Sequence, residues 1–301
     1  MEVKQRYFAE LAFDGSNYHG WQIQQNAVSV QEVFNKALQT LLRQPVETIG
    51  CGRTDTGVHA KQLYAHFDVG QEGAGCGVRG AGHEQSAVSS QRLAVGDQQL
   101  DVSNRQSAIS DFVSALEDGK LKAESLKLTA SLNALLPKDI AVKRIVPVAA
   151  DAHARFDATL RAYEYHVHFG KDPFKQNYSW QLRDFPDVGL MNIAANIIKE
   201  YRDFSCFSKS NTQVKTNFCA IKEAFWVEKG DGLVFHISAD RFLRNMVRAI
   251  VGTLIAVGKK EMEPEVVRAI IESKNRSNAG VSVPACGLYL TKVHYPYISS
   301  T

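Results

Sequence analysis

The chain has 301 residues, a net charge of +3 and 22% charged residues. It is long enough for two lobes with substantial cores, and too weakly basic for a globally nucleic-acid-coating surface, so any such surface is local. The five cysteines are odd in number and lack C-x-x-C spacing, which argues against disulfide and zinc frameworks and for reduced thiols in a cytoplasmic protein. Residues 1–6 carry no apolar stretch of the secretory kind, and the longest apolar run, 249–257, is the length of a buried helix rather than a membrane span.

Residues 6–13 alternate, with Tyr7, Ala9, Leu11 and Phe13 on one face, and read as a strand ended by Asp14-Gly15. A polar-aromatic loop, Ser16-Asn17-Tyr18-His19-Gly20-Trp21-Gln22, follows. Ser29-Val30-Gln31-Glu32 has the form of a capping box and opens a helix with Val30, Val33, Phe34, Ala37, Leu38, Leu41 and Leu42 on one side; Pro45 lies just past its end. A short strand over 46–51 leads into Gly52-Arg53-Thr54-Asp55-Thr56-Gly57-Val58-His59-Ala60, and residues 63–69 alternate as the next strand.

Residues 71–106 are rich in Gly, Ser and Gln and poor in large apolar side chains, the composition of a disordered insertion. A short amphipathic helix is expected over 109–116, closed by Gly119. In the second half, 161–169 alternates with Tyr163, Tyr165, Val167 and Phe169 on one face. Leu190, Ile193, Ala194, Ile197, Ile198 and Tyr201 keep helical spacing. Residues 221–227 and 233–239 form a hairpin around Lys229-Gly230-Asp231-Gly232. Residues 242–257 read as an apolar helix ended by Gly258. The repeated element order predicts an α+β protein made of two ferredoxin-like halves, 1–147 and 148–301, on a continuous mixed sheet with helices on one face and a central cleft.

Asp55 is the candidate catalytic group. Glycines on both sides give a tight turn at the lip of a sheet, and Arg53 is close enough to favour the ionised form. An Asx-turn that only satisfies its own backbone is the plain alternative. Asp-Thr-Gly also occurs in aspartic proteases, but those need two carboxylates sharing a proton; one is present here, and a nearby arginine opposes proton sharing. Arg241, Arg244 and Arg248 recur at i, i+3 and i+7, within about 60° of one another on a helix. Arg248, among apolar neighbours, is the best partner for Asp55, while Arg241 and Arg244 also fit a solvated edge. Tyr163, two residues from Arg161, is either core or a base-stacking ring. Arg155, Arg161, Lys209, Lys215 and Lys222 form a candidate phosphate-contacting set, though each alone is an ordinary surface charge.

Taken in order, several segments resemble the bacterial tRNA pseudouridine synthase A family. They are Phe13-Asp14-Gly15 with Gly20-Trp21-Gln22, Val30-Gln31, Gly52-Arg53-Thr54-Asp55 with Gly57-Val58-His59-Ala60, Leu132-Asn133-Ala134-Leu135-Leu136-Pro137 with Asp139-Ile140, His153-Ala154-Arg155-Phe156, Arg161-Ala162-Tyr163-Glu164-Tyr165, Phe242-Leu243 with Met246-Val247-Arg248 and Val251-Gly252, and Gly287-Leu288-Tyr289-Leu290. The insertion lies outside that pattern. The resemblance implies isomerisation of uridine to pseudouridine in the anticodon stem-loop of tRNA, without cofactor or metal, by a homodimer in which each tRNA touches both subunits. It implies Asp55 as the essential carboxylate, attacking sugar or base or removing a ribose proton. It further implies Arg248 as the basic residue that pairs with Asp55 and keeps it charged, Tyr163 stacked on the extruded uracil, Leu288 on the uracil's other side and Arg53 holding the nucleotide out of the stack. Arg155, Arg161, Lys209, Arg241 and Arg244 are the expected tRNA contacts. A tRNA-binding or tRNA-folding module with weak or lost catalysis is the alternative.

Overall fold

A computed structural model describes residues 4–70, 119–208 and 216–299. The first half runs β1 (Lys4–Phe13), α1 (Val30–Leu42), β2 (Ile49–Gly50), β3 (His59–Gly70), α2 (Gly119–Leu135) and β4 (Ile140–Val148). The second runs β5 (Leu160–Phe169), β6 (Trp180–Leu182), α3 (Val188–Ile198), β7 (Ile221–Lys229), β8 (Gly232–Ala239), α4 (Met246–Gly258), α5 (Val266–Glu272) and β9 (Leu288–His294). All nine strands of the described residues belong to one sheet, ordered β4-β1-β3-β9-β5-β8-β7, with β2 on β3 and β6 on β5. In each half the last main strand lies beside the first, and the third beside the first on its other side, which is the ferredoxin-like order. The halves join where β3 meets β9 in parallel, through His59 opposite Tyr289 and Ala60 opposite Leu290.

Local sequence explains most elements. Ser29 accepts the Glu32 amide and caps α1, and Arg43 ends the helix in the left-handed conformation, two residues before Pro45. Val30, Phe34 and Leu38 point into the first core, against Leu63, Phe67 and Leu132. The β7–β8 hairpin turns at Gly230, whose φ of +60° suits glycine. In α4 the apolar residues are buried on all sides, so the run over 249–257 lies inside the second core with Phe235, Trp226 and Ile197. Tyr163 packs against both cores.

Three expectations change. The helix expected from Phe242 begins at Met246, because Asn245 is left-handed (φ 65°) and the preceding segment is held to the sheet edge: the Asp240 carboxylate accepts the Ala220 and Arg241 amides at 2.7 Å. Arg241 and Arg244 therefore stand on a loop and not on a helix with Arg248. Gly119 belongs to α2 instead of closing a preceding helix, and the strand expected over 46–51 shortens to Ile49–Gly50. The expected insertion over 71–106 and helix over 109–116 lie outside the described residues. No helix among the described residues is long and apolar enough to cross a membrane.

The sheet face opposite α1 and α2 is covered in the first half by the chain around 152–158 and by Tyr295 and Tyr297, which pack on Phe8. Here His66 is buried, and the Ala154 amide donates to its Nδ1 at 3.1 Å. Burial, then the charges of Arg6 and His153, push its pKa from 6.5 down to about 4, against opposing pulls from Asp68 and Asp157. The folded chain thus keeps the ring neutral while the unfolded chain takes up a proton below its ordinary pKa. The associated stability is complete above that ordinary value, falls as pH drops toward the folded value, and then levels off. We expect His66→Gln, which retains an acceptor for the Ala154 amide, to flatten urea-melt stability across this window by about 2–3 kcal/mol relative to wild type. Parallel pH profiles of the two chains would refute the assignment.

Candidate active site

The loop between β2 and β3 carries Asp55, and the loop after β1 seats it. The Trp21 amide donates to Thr54 Oγ1 at 2.9 Å, and the Gly57 amide to the Tyr18 carbonyl at 3.3 Å. Gly20 has a φ of +85°, and a Cβ there would stand 2.1 Å from the Thr54 carbonyl oxygen. Only glycine permits that approach. Gly57, at φ +77°, completes the turn, in which the Val58 amide donates to the Asp55 carbonyl at 3.2 Å.

Two guanidinium groups from the second half meet the carboxylate. Arg248 Nη1 lies 3.5 Å from Asp55 Oδ2, and Arg244 Nε lies 3.6 Å from Oδ1. Arg248 stands in the first turn of α4, half-buried, and is aimed by its own Nε, which donates to the Val283 carbonyl at 2.7 Å. Arg244 is more exposed, with a side chain 53% accessible against 21% for Arg248, so solvent screens its attraction more strongly. At these separations the pairs are loose, and Asp55 retains room for a ligand.

The carboxylate opens into a cleft of about 1050 Å3, lined also by His19, Gln22, Arg53, Asn245 and Arg276. Four arginines and one carboxylate face this space, a surplus of positive charge that suits an anionic ligand. Sequence reading missed Arg276, whose guanidinium donates to the Ala279 and Gly280 carbonyls and to Ser282 Oγ. It also missed Asn245, which bonds Ser282 Oγ. Neither belongs to a local pattern; the left-handed turn at Asn245 is the single feature that a sequence signal, an Asn before an apolar helix, hints at.

Tyr163 and Leu288 are not among the residues lining this cleft. Tyr163 lies on β5, its ring edge-on to Phe242 with centroids 5.1 Å apart. Burial pushes its phenol well above the ordinary tyrosine range, and the Cys51 and Asp55 charges add to this against Arg161. Its hydroxyl is therefore protonated at neutral pH. Leu288 begins β9 opposite Tyr165 and is 6% exposed.

Arg53 lines the cleft, and Arg155 lies near it. The Arg155 guanidinium is held below its usual pKa by burial and by the charges of Arg53, Arg161 and Arg241. Arg161 differs from the others in its bonding. It donates through Nη1 to the Ala158 and Asp240 carbonyls at 3.3 and 2.9 Å, and through Nη2 to those of Cys51 and Arg155, both at 2.8 Å. This guanidinium ties three backbone segments together. Lys209 and Lys215 lie outside the described residues, and Lys222 is exposed on β7. Among the described residues no group of three or more His, Cys, Asp or Glu is placed to hold a metal ion.

A family profile described as tRNA pseudouridine synthase matches residues 201–296, the segment that carries Arg244, Arg248 and Leu288. The tRNA pseudouridine synthase A of Bacteroides fragilis is 43% identical over 293 residues, covering 97% of both chains. The protein of the same name from Bacteroides thetaiotaomicron is 44% identical over 97% of this chain and 91% of its own. That from Clostridium acetobutylicum is 33% identical over 95% of this chain and 97% of its own. Similarity that runs from the Asp55 loop through both arginines to β9 makes this chain a member of the tRNA pseudouridine synthase A family.

Proposed function

We propose that the protein converts uridine to pseudouridine in the anticodon stem-loop of tRNA, with Asp55 as the essential carboxylate. The observation that carries this reading is Asp55 itself: it is the one carboxylate among the described residues lining the cleft, and it is approached by Arg244 and Arg248 at 3.6 and 3.5 Å. The reaction breaks the ribose C1′–N1 bond, turns the uracil, and joins C1′ to C5. C5 loses a proton and N1 gains one, so the change is an isomerisation with no net redox step. Such chemistry calls for one carboxylate near the sugar and base, with cations facing it.

A uridine inside a stacked stem has to leave the stack first, at a cost of a few kcal/mol. Phosphate contacts from Arg53, Arg155 and Arg241 and stacking by Tyr163, with Leu288 on the other side of the base, offset that cost. Tyr163 and Leu288 reach the base only if the nucleotide extends below the present rim of the cleft, toward the seam of β5 and β9. The remaining parts of the reading are a homodimer in which each tRNA touches both subunits, halves bounded at 147/148, and a cytoplasmic location. A tRNA-binding module without catalysis is the second reading, and the paired carboxylate speaks against it.

Pseudouridine mapping on an unmodified tRNA transcript, incubated with the purified protein and no added cofactor, tests the proposal. New pseudouridine confined to the anticodon stem-loop is the expected result. Tight binding without any new pseudouridine would establish the second reading instead.

A further inference from the structure

The turn after β4 holds an aromatic ring in an unusual position. The Asp157 amide donates to the His153 carbonyl at 3.0 Å, and the His153 amide to Asp157 Oδ2 at 2.7 Å. The Arg155 and Phe156 amides both donate to His153 Nδ1, at 3.1 and 3.3 Å. Tyr297 Oη holds Asp157 from the other side at 2.8 Å. A turn bonded this thoroughly is rigid, yet the Phe156 ring it presents is 76% exposed. His153 backs the ring, with centroids 4.3 Å apart, and most of its surface stays in water. Exposing a phenylalanine forgoes roughly 1.5–3 kcal/mol of burial, of which the contact with His153 on one face returns only a part.

The location of this turn narrows the choice of partner. Arg161 Nη2 holds the Arg155 carbonyl and the Cys51 carbonyl together, so the turn is locked to the segment that enters the Asp55 loop. Arg155 is adjacent to the ring and crowded by the charges of Arg53, Arg161 and Arg241. Among the described residues, arginine–carboxylate pairs are made by Arg6, Arg144, Arg244, Arg248 and Arg268, and by none of these four. An aromatic face beside guanidinium groups that make no carboxylate pair matches a nucleotide, which brings a base and a phosphate in one unit. A second copy of this chain would bring its own positive set against this one.

We infer that Phe156 is a stacking platform for an unpaired base that neighbours the reacting uridine, with Arg155 taking the adjoining phosphate. Arg161 acts in this arrangement as a strut that keeps the platform in register with Asp55, and not as a phosphate ligand. The inference rests on the reading that the substrate is an RNA and extends it to a second nucleotide subsite. It also favours a loop over a continuous duplex, since a base inside a stacked helix has both faces covered by its neighbours.

The test measures equilibrium binding of a fluorescent anticodon stem-loop RNA, and of a blunt RNA duplex, to the full-length Asp55→Asn protein over a series of salt concentrations. Adding Phe156→Ala is expected to weaken stem-loop binding roughly 5- to 150-fold, to leave the salt slope unchanged and to spare the duplex. Phe156→Tyr restores the affinity. Arg155→Ala lowers the salt slope by about one. Stem-loop affinity within twofold of the parent in Phe156→Ala overturns the inference and leaves the RNA reading standing. So does an equal loss on stem-loop and duplex. A loss that accompanies a change of oligomeric state in sedimentation reassigns the ring to an interface between copies. A parent protein that binds neither RNA overturns the RNA reading, and the platform with it.

Discussion

Asp55→Asn is expected to lower pseudouridine formation by on the order of 10,000-fold or more, the scale seen when a group that enters the chemistry is lost. Asparagine keeps the size and the turn-forming capacity of the side chain, so the loop held by Thr54, Gly20 and Gly57 should survive. It removes the charge that Arg244 and Arg248 face at 3.6 and 3.5 Å. Binding of tRNA should stay within a few-fold, because phosphate contacts dominate affinity. Single-turnover assays at saturating enzyme separate the two quantities. A variant that retains more than a tenth of the wild-type rate would remove Asp55 from the chemistry.

The second large effect falls on Arg248. Arg248→Met preserves the apolar stem in the first turn of α4 but deletes the cation near Asp55 and the Nε bond to the Val283 carbonyl. We expect the rate of the chemical step to fall about 100- to 1,000-fold, in line with removal of one preorganised charged donor. Arg248→Lys should recover part of the loss: it restores the charge, but an ammonium group cannot hold Val283 and reach Asp55 through one planar fork. Arg244→Met should cost about tenfold, because its side chain is 53% accessible and water screens it. Equal losses at the two arginines would contradict the inequality in burial from which the ranking comes.

The segments of chain that fold by local rules were legible in the sequence. Alternation over 6–13 and 161–169 produced strands, a capped apolar stripe produced α1, and Asp-Gly marked the β7–β8 hairpin. Such features depend on φ/ψ preferences and side-chain period within a few residues, so no distant partner is needed to read them. The same holds for the Asp55 loop, where glycines on both sides of a carboxylate declare a turn before any fold is known. The start of α4 was misplaced because helix periodicity continues through 242–245, while the chain there is pulled out of helix by Asp240 and turned at Asn245. Tertiary bonds outweighed local propensity at that point.

By itself, then, the sequence determined β1, α1, β3, β5, α3, the β7–β8 hairpin and the body of α4, the turn that presents Asp55, and the family to which the chain belongs, whereas α2, β4, β6, α5 and β9 were not legible as elements. Arg248 was legible as a partner for Asp55, but only the tertiary structure decided that Arg244 joins it and how the groups meet. Asp55 and Arg248 stand 193 residues apart, and their encounter depends on β9 pairing in parallel with β3 to bring the two halves together. Arg161 carried the same sequence signal as a surface phosphate ligand, while in the fold four carbonyls from three segments converge on its guanidinium. Phe156 is an apolar side chain left in water by a turn whose hydrogen bonds close beneath it. The physical reason is common to all three: backbone preference acts over neighbours in the chain, whereas ion pairs, carbonyl partners and exposure are set by neighbours in space, and these exist only once the sheet has closed.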